Sequence, residues 1–449
     1  MLTAQDIYLT PIYLVLFYGL AYAVRARVTN AYTKKYYIPA LTVKFVGAIM
    51  LGVIYQFYYG GGDTSNYYLH ASLVQQAFGD SFTTGLRLLF STDYNPATAK
   101  YVANMFWFSG MAEYTVVRFA AIAGLFCFNT YTVIALIFAL LSFSWMWALF
   151  ITLAKLRPKE YHWLAISVFF LPSVFFWGSG LMKDSLCIGA LGWLFYAFYR
   201  GAIQRRRVLA MLLVGGLAGY LLFLTKVYIL LSFLPPALLW VFNENSQQIK
   251  NKTLRVILKP LFLVVGGGVA LFAATNLTKG DEKYDIDNIG GRSKITADYL
   301  YGVSVATEGS AYKLGEQDGT IGGMVKLAPQ AIVVSLFRPF LWEVRNPVMF
   351  LSALEALFML IFTVRILLQS GVVRTLSLIV STPVLTLCFV FALVFAATVG
   401  IVSNNFGTLV RYKIPLMPFY MAGLVITQSM SVTGSKPVGR IRRPARIIS

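Results

Sequence analysis

Long runs of apolar residues, interrupted by short polar or basic segments, dominate the sequence pattern. Eleven runs approach the ~20 apolar residues that a helix needs to cross a bilayer: 8–24, 38–58, 131–154, 164–178, 186–199, 208–225, 227–242, 258–277, 347–368, 377–401 and 412–428. The apolar run 116–128 is too short to cross alone. The pattern predicts an all-α, polytopic transmembrane helical bundle of roughly 11 to 13 spans, with residues 1–430 as a single transmembrane domain.

The short polar segments between these runs predict the orientation. Clusters of Lys and Arg occupy segments 25–35, 155–159, 200–207, 250–259, 365–374 and 436–446. Counting one crossing per run places all of them on one side, which is cytoplasmic because basic loops are retained there. The N-terminus is then outside, and residues 431–449 form a basic, disordered cytoplasmic tail. Two longer loops with interfacial helices, about 60–115 and 278–345, lie on the outer side.

Composition supports a membrane protein and excludes a soluble globular domain. Of 449 residues, 58% are hydrophobic and 12% charged, whereas soluble domains carry about 25% charged residues. The net charge of +20 would suggest nucleic acid in a soluble protein, but topology explains it here, so no nucleic-acid partner is expected. The sequence contains no P-loop, dinucleotide-binding, zinc-protease or serine-hydrolase motif. No metal site and no cofactor are expected, and no motif supports a divalent cation.

A few charged residues fall at the predicted outer boundary, where topology does not explain them. Ionisable groups near the bilayer are costly and usually line a cavity or a substrate path. The set is Asp63, Lys183, Asp184, Lys226, Arg338, Glu343, Arg345, Arg411 and Lys413. Cations converging on one outer cavity would bind a lipid-borne diphosphate. The alternative for each is a helix cap or an anchor to lipid headgroups.

The first residues of this set each allow two interpretations. Asp63 follows three glycines and is either a general base for a sugar hydroxyl or a helix cap; His70 would face the same cavity or an aromatic belt. Lys183 and Asp184, in WGSGLMKDSL, either bind phosphate or pair locally to fix the turn. Lys226, in FLTKVYI, either meets an anion or extends to the interface.

The later cations allow the same two interpretations, anion binding or a cap or headgroup anchor, and a carboxylate joins them. Arg338, Arg345 and Arg411 would bind phosphate through the planar guanidinium, and Lys413 would do so as a point charge. Glu355 falls in the middle of run 347–368. A buried carboxylate there suggests a partner or a proton site, which is the best single argument for a transporter.

Three patches resemble a known family: GGGDTSNYYLHA, WGSGLMKDSLCIGAL and RYKIPLMPF. They resemble the bacterial EpsG/Wzy-type polysaccharide polymerases and, more widely, the GT-C glycosyltransferases. The resemblance implies a multi-span inner-membrane protein that joins or adds sugars from polyprenyl-linked donors on the outer face. It implies that Asp63 acts as a base or orients the acceptor. It also implies that Lys183 and Asp184 lie in a polar turn where relatives often have Arg, and that Arg411 binds the phosphate of the lipid-linked donor. The sequence departs from the family pattern at two places. Lys413 stands where relatives often have Arg, and the early loop has one acidic residue where many GT-C enzymes have two.

The leading hypothesis is therefore an inner-membrane glycosyltransferase or polymerase of cell-surface polysaccharide that acts on polyprenyl-diphosphate-linked saccharides. Its expected partners are that lipid-linked saccharide, membrane lipids and other polysaccharide-assembly proteins. The alternative is a transporter or flippase of an anionic lipid-linked saccharide, with Glu355 coupled to protons. A third hypothesis is a scaffold subunit of an envelope complex, in which alanine at all the outer cations would be tolerated.

Overall fold

A computed structural model describes residues 1–246, 289–307 and 309–433. The predicted span 258–277 and the tail from residue 434 lie outside the described residues. The first nine helices are α1 (Ala4–Val28), α2 (Lys34–Phe57), α3 (Asp63–Asp80), α4 (Phe82–Phe90), α5 (Ala99–Val102), α6 (Met111–Leu125), α7 (Tyr131–Leu156), α8 (Tyr161–Phe169) and α9 (Pro172–Trp177). The next nine are α10 (Lys183–Ala197), α11 (Val208–Ser246), α12 (Ile289–Ala306), α13 (Ile321–Phe337), α14 (Pro347–Ser370), α15 (Val372–Ser381), α16 (Pro383–Ser403), α17 (Phe406–Tyr412) and α18 (Met417–Thr433).

Seven of the described helical segments are long and apolar enough to cross a membrane. They are Ala4–Val28, Lys34–Phe57, Tyr131–Leu156, Lys183–Ile203, Val208–Glu244, Pro347–Ser370 and Pro383–Ser403. The helices α17 and α18, bent by 67°, make an eighth if the pair is one broken span. The described residues contain no β-strand, only an isolated bridge between Ala311 and Asn405. The prediction of an all-α, multi-pass membrane protein is confirmed.

Several predicted spans are interrupted where the sequence carries proline. The run 164–178 is divided into α8 and α9, because α9 begins at Pro172. The run 377–401 is divided at Thr382, and α16 begins at Pro383. Proline supplies no backbone N–H and disfavours helical backbone in the preceding residue. The adjoining runs 208–225 and 227–242 fall in the single helix α11, which is broken by non-helical backbone at Lys226 (φ −146°, ψ 76°).

The predicted outer loops contain substantial helical structure. The segment 60–115 holds α3, α4 and α5 and the beginning of α6, whose 15 residues are too few for a span. The segment 278–345 holds α12 and α13. Their placement on the outer side stays a prediction.

The chain folds into two compact units, each built from separate segments. Unit 1 comprises Met1–Ala148, Val174–Gly192 and Ala218–Lys226, and unit 2 comprises Leu149–Ser173, Trp193–Leu217 and the described residues from Val227 onward. The first two motif patches lie in unit 1, and the patch RYKIPLMPF lies in unit 2.

Candidate functional site

Helix α2 supports both motif turns of unit 1. A Cβ atom added at Gly180 would lie 2.9 Å from the Leu51 side chain, so the WGSG turn packs directly against α2. One turn further along α2, the Tyr55 ring lies 2.7 Å from a Cβ position at Gly62. The same ring packs edge-on to Trp177, with centroids 6.4 Å apart. Tyr55 therefore contacts both the GGGD turn and the beginning of the WGSG turn.

The GGGD turn uses backbone conformations that only glycine adopts readily. Gly60, Gly61 and Gly62 have φ angles of 69°, 141° and 133°, and the last two lie outside the left-handed region open to other residues. Gly62 occupies the cap position of α3, so the interpretation of Asp63 as the helix cap is wrong. Asp63 is the half-buried first residue of the helix. The positive end of the helix dipole stabilises a carboxylate at this position.

Two ion pairs join three helices of unit 1 beside the WGSG turn. Lys183 Nζ lies 2.6 Å from Glu113 Oε1 on α6, and Lys226 Nζ lies 2.5 Å from Asp184 Oδ1. The alternative of a local pair between Lys183 and Asp184 is therefore wrong, because each of these neighbours pairs with a different helix. We call these four side chains the ion-pair layer.

The two pairs of this layer differ in burial. The side chains of Lys226 and Asp184 are 5% and 1% exposed, whereas those of Lys183 and Glu113 are 15% and 17% exposed. Lys226 does meet an anion, but that anion is a carboxylate of the chain itself. A buried pair offsets its large desolvation cost only while both partners remain, so the inner pair holds α10 against the break in α11.

A further buried lysine fixes the WGSG turn from α2. Lys44 is fully buried, and its Nζ donates to the Gly178 carbonyl (2.6 Å) and to Ser142 Oγ (3.1 Å). Ser142 Oγ also donates to the Gly178 carbonyl, at 2.7 Å. This carbonyl lies just beyond the end of α9, where helical partners are lost. Lys44 and Ser142 therefore hold in place the turn that carries Lys183 and Asp184.

His70 lies in an aromatic cluster on α3. Its ring is 4.5 Å from that of Phe106 and 5.5 Å from that of Trp107, between centroids. The side chain is fully buried, and neither ring nitrogen has a hydrogen-bond partner among the described residues. Burial lowers the pKa of His70. Its role in binding substrate stays a prediction.

In unit 2, Arg338 is held by a carboxylate and by aromatic rings. Its guanidinium donates two hydrogen bonds to Glu343 and lies 5.0 Å from the centroid of Phe406 and 5.7 Å from that of Tyr312. Although burial raises it, the pKa of Glu343 is held below its ordinary value by the hydrogen bonds from Arg338 and the Phe340 amide. Arg338 is thus already charge-compensated.

Two of the three remaining predicted cations of unit 2 contact main-chain carbonyl groups. Lys413 is buried, and its Nζ donates to the Arg338 carbonyl at 3.3 Å. Arg345 donates to the Gly309 carbonyl at 2.8 Å. Arg411 occupies the last turn of α17 and is half-buried. Phosphate binding by these three residues stays a prediction.

Glu355 has the partner that its buried position predicts. Its carboxylate accepts hydrogen bonds from Ser173 Oγ (2.6 Å) and from the Ser173 amide (2.8 Å), and it interacts electrostatically with Lys413. Ser173 is at the N-terminus of α9, so the carboxylate satisfies an amide that no helical carbonyl reaches. These contacts suffice to explain a carboxylate at this depth as structural.

No protein-family model matches this chain, and searches of curated proteins and of solved structures found none that matches. In the described part of the chain, no three His, Cys, Asp or Glu side chains are grouped so that they would hold a metal ion.

Two residues of unit 1 were missed by the sequence reasoning. Glu113 lies in the first turn of α6, in a stretch of sequence whose mixed polarity resembles that of an ordinary loop, so only the fold reveals its contact with Lys183. Lys44 carried a usable signal, because it stands inside the apolar run 38–58. An ionisable residue within a predicted span indicates a buried partner or a functional site.

Proposed function

We propose that this chain is a bacterial inner-membrane glycosyltransferase or polymerase that acts on polyprenyl-diphosphate-linked saccharides in cell-surface polysaccharide synthesis. The observation that carries the proposal is the contact of Tyr55 with both motif turns of unit 1. One turn presents the half-buried carboxylate of Asp63, and the other leads to the partly exposed ammonium of Lys183. An acid and a cation supported by one rigid helix suit a reaction in which a hydroxyl displaces a phosphate.

The proposed chemistry assigns one step to each group. The acceptor hydroxyl oxygen attacks the anomeric carbon of the donor, and its proton passes to the Asp63 carboxylate. The bond between the anomeric carbon and the diphosphate oxygen breaks, and the polyprenyl diphosphate leaves with the electron pair. Lys183 stabilises the charge that develops on the leaving oxygen. Glu113 keeps the Lys183 ammonium in position before the donor arrives.

The lengths of the helices support an outer location for this site. Lys183 and Ile203 begin and end one candidate span of 21 residues, which is about 31 Å of helix. Lys226 likewise follows 18 helical residues that begin at Val208, about 27 Å. Both lengths match the ~30 Å hydrocarbon core. Lys183 and Lys226 thus stand one membrane thickness from the basic segment 200–207.

This separation supports the proposed topology. With the basic segments in the cytoplasm, the ion-pair layer reaches the outer boundary, the N-terminus is outside and the C-terminus is inside. We also propose that the whole chain crosses the membrane roughly 11 to 13 times and that the two longer loops lie on the outer side. The polyprenyl-linked donor would then bind from the outer leaflet of the bacterial inner membrane.

The direct test of this proposal is sugar transfer by the purified, full-length protein. A membrane extract supplies the polyprenyl-diphosphate-linked saccharide, and products are separated by size and by lipid content. Growth of the saccharide with release of polyprenyl diphosphate is expected. Movement of unaltered lipid-linked saccharide across vesicles, without a new glycosidic bond, would instead identify the transporter.

One observation favours that second candidate, a transporter or flippase. A buried ion pair lies beside a helix that is broken at Lys226, and transporters often place broken helices and charges at the substrate path. The same cations would then bind an anionic lipid-linked saccharide during its passage.

Substitution of Glu355 distinguishes these two candidates. A transferase carrying Glu355→Gln should retain sugar transfer in detergent, because Glu355 interacts with Ser173 and Lys413 and the proposed transfer step uses Asp63 and Lys183 instead. The Gln amide keeps one oxygen acceptor, so the loss of stability should be about 1–3 kcal/mol. Transfer and thermal unfolding of the purified variant are measured together. Loss of translocation by a folded variant that never transferred sugar would establish the transporter.

A further inference from the structure

Three apolar helices bring basic residues together at one end in unit 2. Lys155 is in the last turn of α7, and Arg200 lies in the π-helical turn Phe198–Ile203 that ends the span begun by α10. Arg206 precedes α11 by two residues. We call Lys155, Arg200 and Arg206 the basic cluster. Because each lies at the end of an apolar helix or directly beside one, we expect the basic cluster at a membrane–water boundary.

The turn that carries two of these cations is tightly ordered. The Arg206 amide donates to the Arg200 carbonyl at 2.9 Å, and the Gln204 amide donates to the Tyr199 carbonyl at 2.9 Å. Gln204 Nε2 also donates to the Tyr199 hydroxyl at 2.8 Å. A Cβ atom at Gly201 would lie 2.8 Å from the Met211 Cβ, so the turn packs directly on α11. The positions of Arg200 and Arg206 are therefore fixed by the fold.

The charges of the basic cluster repel one another, and no ion pair with a described carboxylate offsets this repulsion. Lys155 interacts electrostatically with both Arg200 and Arg206. Among the described residues, none of the three forms a salt bridge with a carboxylate. Lys155 and Arg206 are exposed, and Arg200 is half-exposed. Like charges that interact in this way favour an anion that bridges them.

An exposed apolar stripe begins immediately beside the cluster. Leu209, Leu212, Leu213 and Leu217 are 83%, 66%, 65% and 62% exposed. Their spacing places them on one face of α11. A leucine stripe of this exposure is suited to acyl chains, because lipid rather than water faces a spanning helix. The cations would contact the phosphate of a phospholipid headgroup, and the neighbouring leucine stripe would contact its acyl chains.

We propose that the basic cluster and the leucine stripe of α11 form a binding site for one anionic glycerophospholipid, with its phosphate held by Lys155, Arg200 and Arg206. The lipid neutralises the repulsion at the helix ends and stabilises the turn between α10 and α11. This inference is independent of the proposed sugar-transfer activity, since the site lies in unit 2 and uses none of the ion-pair layer.

The test compares lipid retention by the full-length protein. Wild type, Arg200→Gln/Arg206→Gln and the charge-preserving Arg200→Lys/Arg206→Lys are purified in mild detergent with equal phosphatidylglycerol and phosphatidylcholine. Native mass spectrometry then gives the ratio of the bound lipids. Each cation near an anionic lipid surface contributes about 1 kcal/mol, so the glutamine variant should lose about thirtyfold in preference for phosphatidylglycerol. The lysine variant should retain most of the preference.

Controls separate this site from general membrane charge and from free anions. Lys326→Gln removes an exposed cation elsewhere in unit 2 and should leave the preference unchanged. Thermal unfolding checks that each variant is folded. If Arg200→Gln/Arg206→Gln fails to fold, Lys155→Gln alone should still reduce the preference for phosphatidylglycerol several-fold, since Lys155 is exposed. Equal preference in wild type and folded glutamine variants would overturn the proposal. So would displacement of phosphatidylglycerol by inorganic phosphate alone.

Discussion

Replacing Lys226 with methionine will destabilise the protein by about 3–5 kcal/mol, because the buried Asp184 carboxylate then loses the ammonium group with which it forms an ion pair. The Asp184 side chain is 1% exposed, so water does not replace the lost ammonium. Asp184→Leu should cost a similar amount, because it removes the carboxylate that pairs with the buried Lys226 ammonium. The free energy of unfolding is measured by denaturant titration in detergent.

The double variant Asp184→Leu/Lys226→Met is the decisive control. It removes both charges and should recover most of the stability, since an apolar pair often replaces a buried ion pair at little cost. Lys100→Met breaks the exposed pair with Asp80, whose side chains are 66% and 57% exposed, and should leave the unfolding midpoint nearly unchanged. If the double variant is as unstable as the two single losses combined, the pair is not the interaction that holds α10 to α11.

Replacing Asp63 with asparagine will reduce sugar transfer by about a hundredfold to ten-thousandfold, while the amount of protein in the membrane stays constant. Asparagine preserves the size of the side chain and the turn that Gly60, Gly61 and Gly62 form, but it accepts no proton. The length and amount of surface polysaccharide and the transfer rate of purified protein are both measured.

A matched control for this variant lies at the other end of the same helix. Asp80 is the last residue of α3, and its hydrogen bond from Lys100 holds the pKa of that carboxyl below its ordinary value. Asp80→Asn should leave transfer unchanged. Equal polymer length and amount in wild type and Asp63→Asn would remove Asp63 from the mechanism.

The membrane class of the fold was predictable because bilayer thickness fixes the length of each apolar run. The helices α1, α2, α7 and α14 fall where their runs predict them. The predicted bounds of the spans were less accurate where proline divides an apolar run, as at Pro172 and Pro383. A hydropathy pattern contains no information about the backbone N–H that proline lacks.

The candidate site was predictable residue by residue but not in its pairing. Lys183, Asp184 and Lys226 stand out because each is charged in an apolar context. Their partners depend on how α6, α10 and α11 pack, and neighbours such as Lys183 and Asp184 point toward different helices. Glu113 is distant from Lys183 in sequence, so no local pattern connects them. Phosphate binding by the cations depends on a shared cavity and stays a prediction.

The most direct measurement is the fate of a lipid-linked saccharide in vesicles that contain only this purified protein. The donor carries a label in the sugar and a second label in the polyprenyl chain. We expect the sugar label to move into a longer saccharide while free polyprenyl diphosphate accumulates in equal amount, and we expect Asp63→Asn to abolish both. Donor that stays intact with both labels together, in vesicles whose protein is folded, would contradict the assignment as a glycosyltransferase.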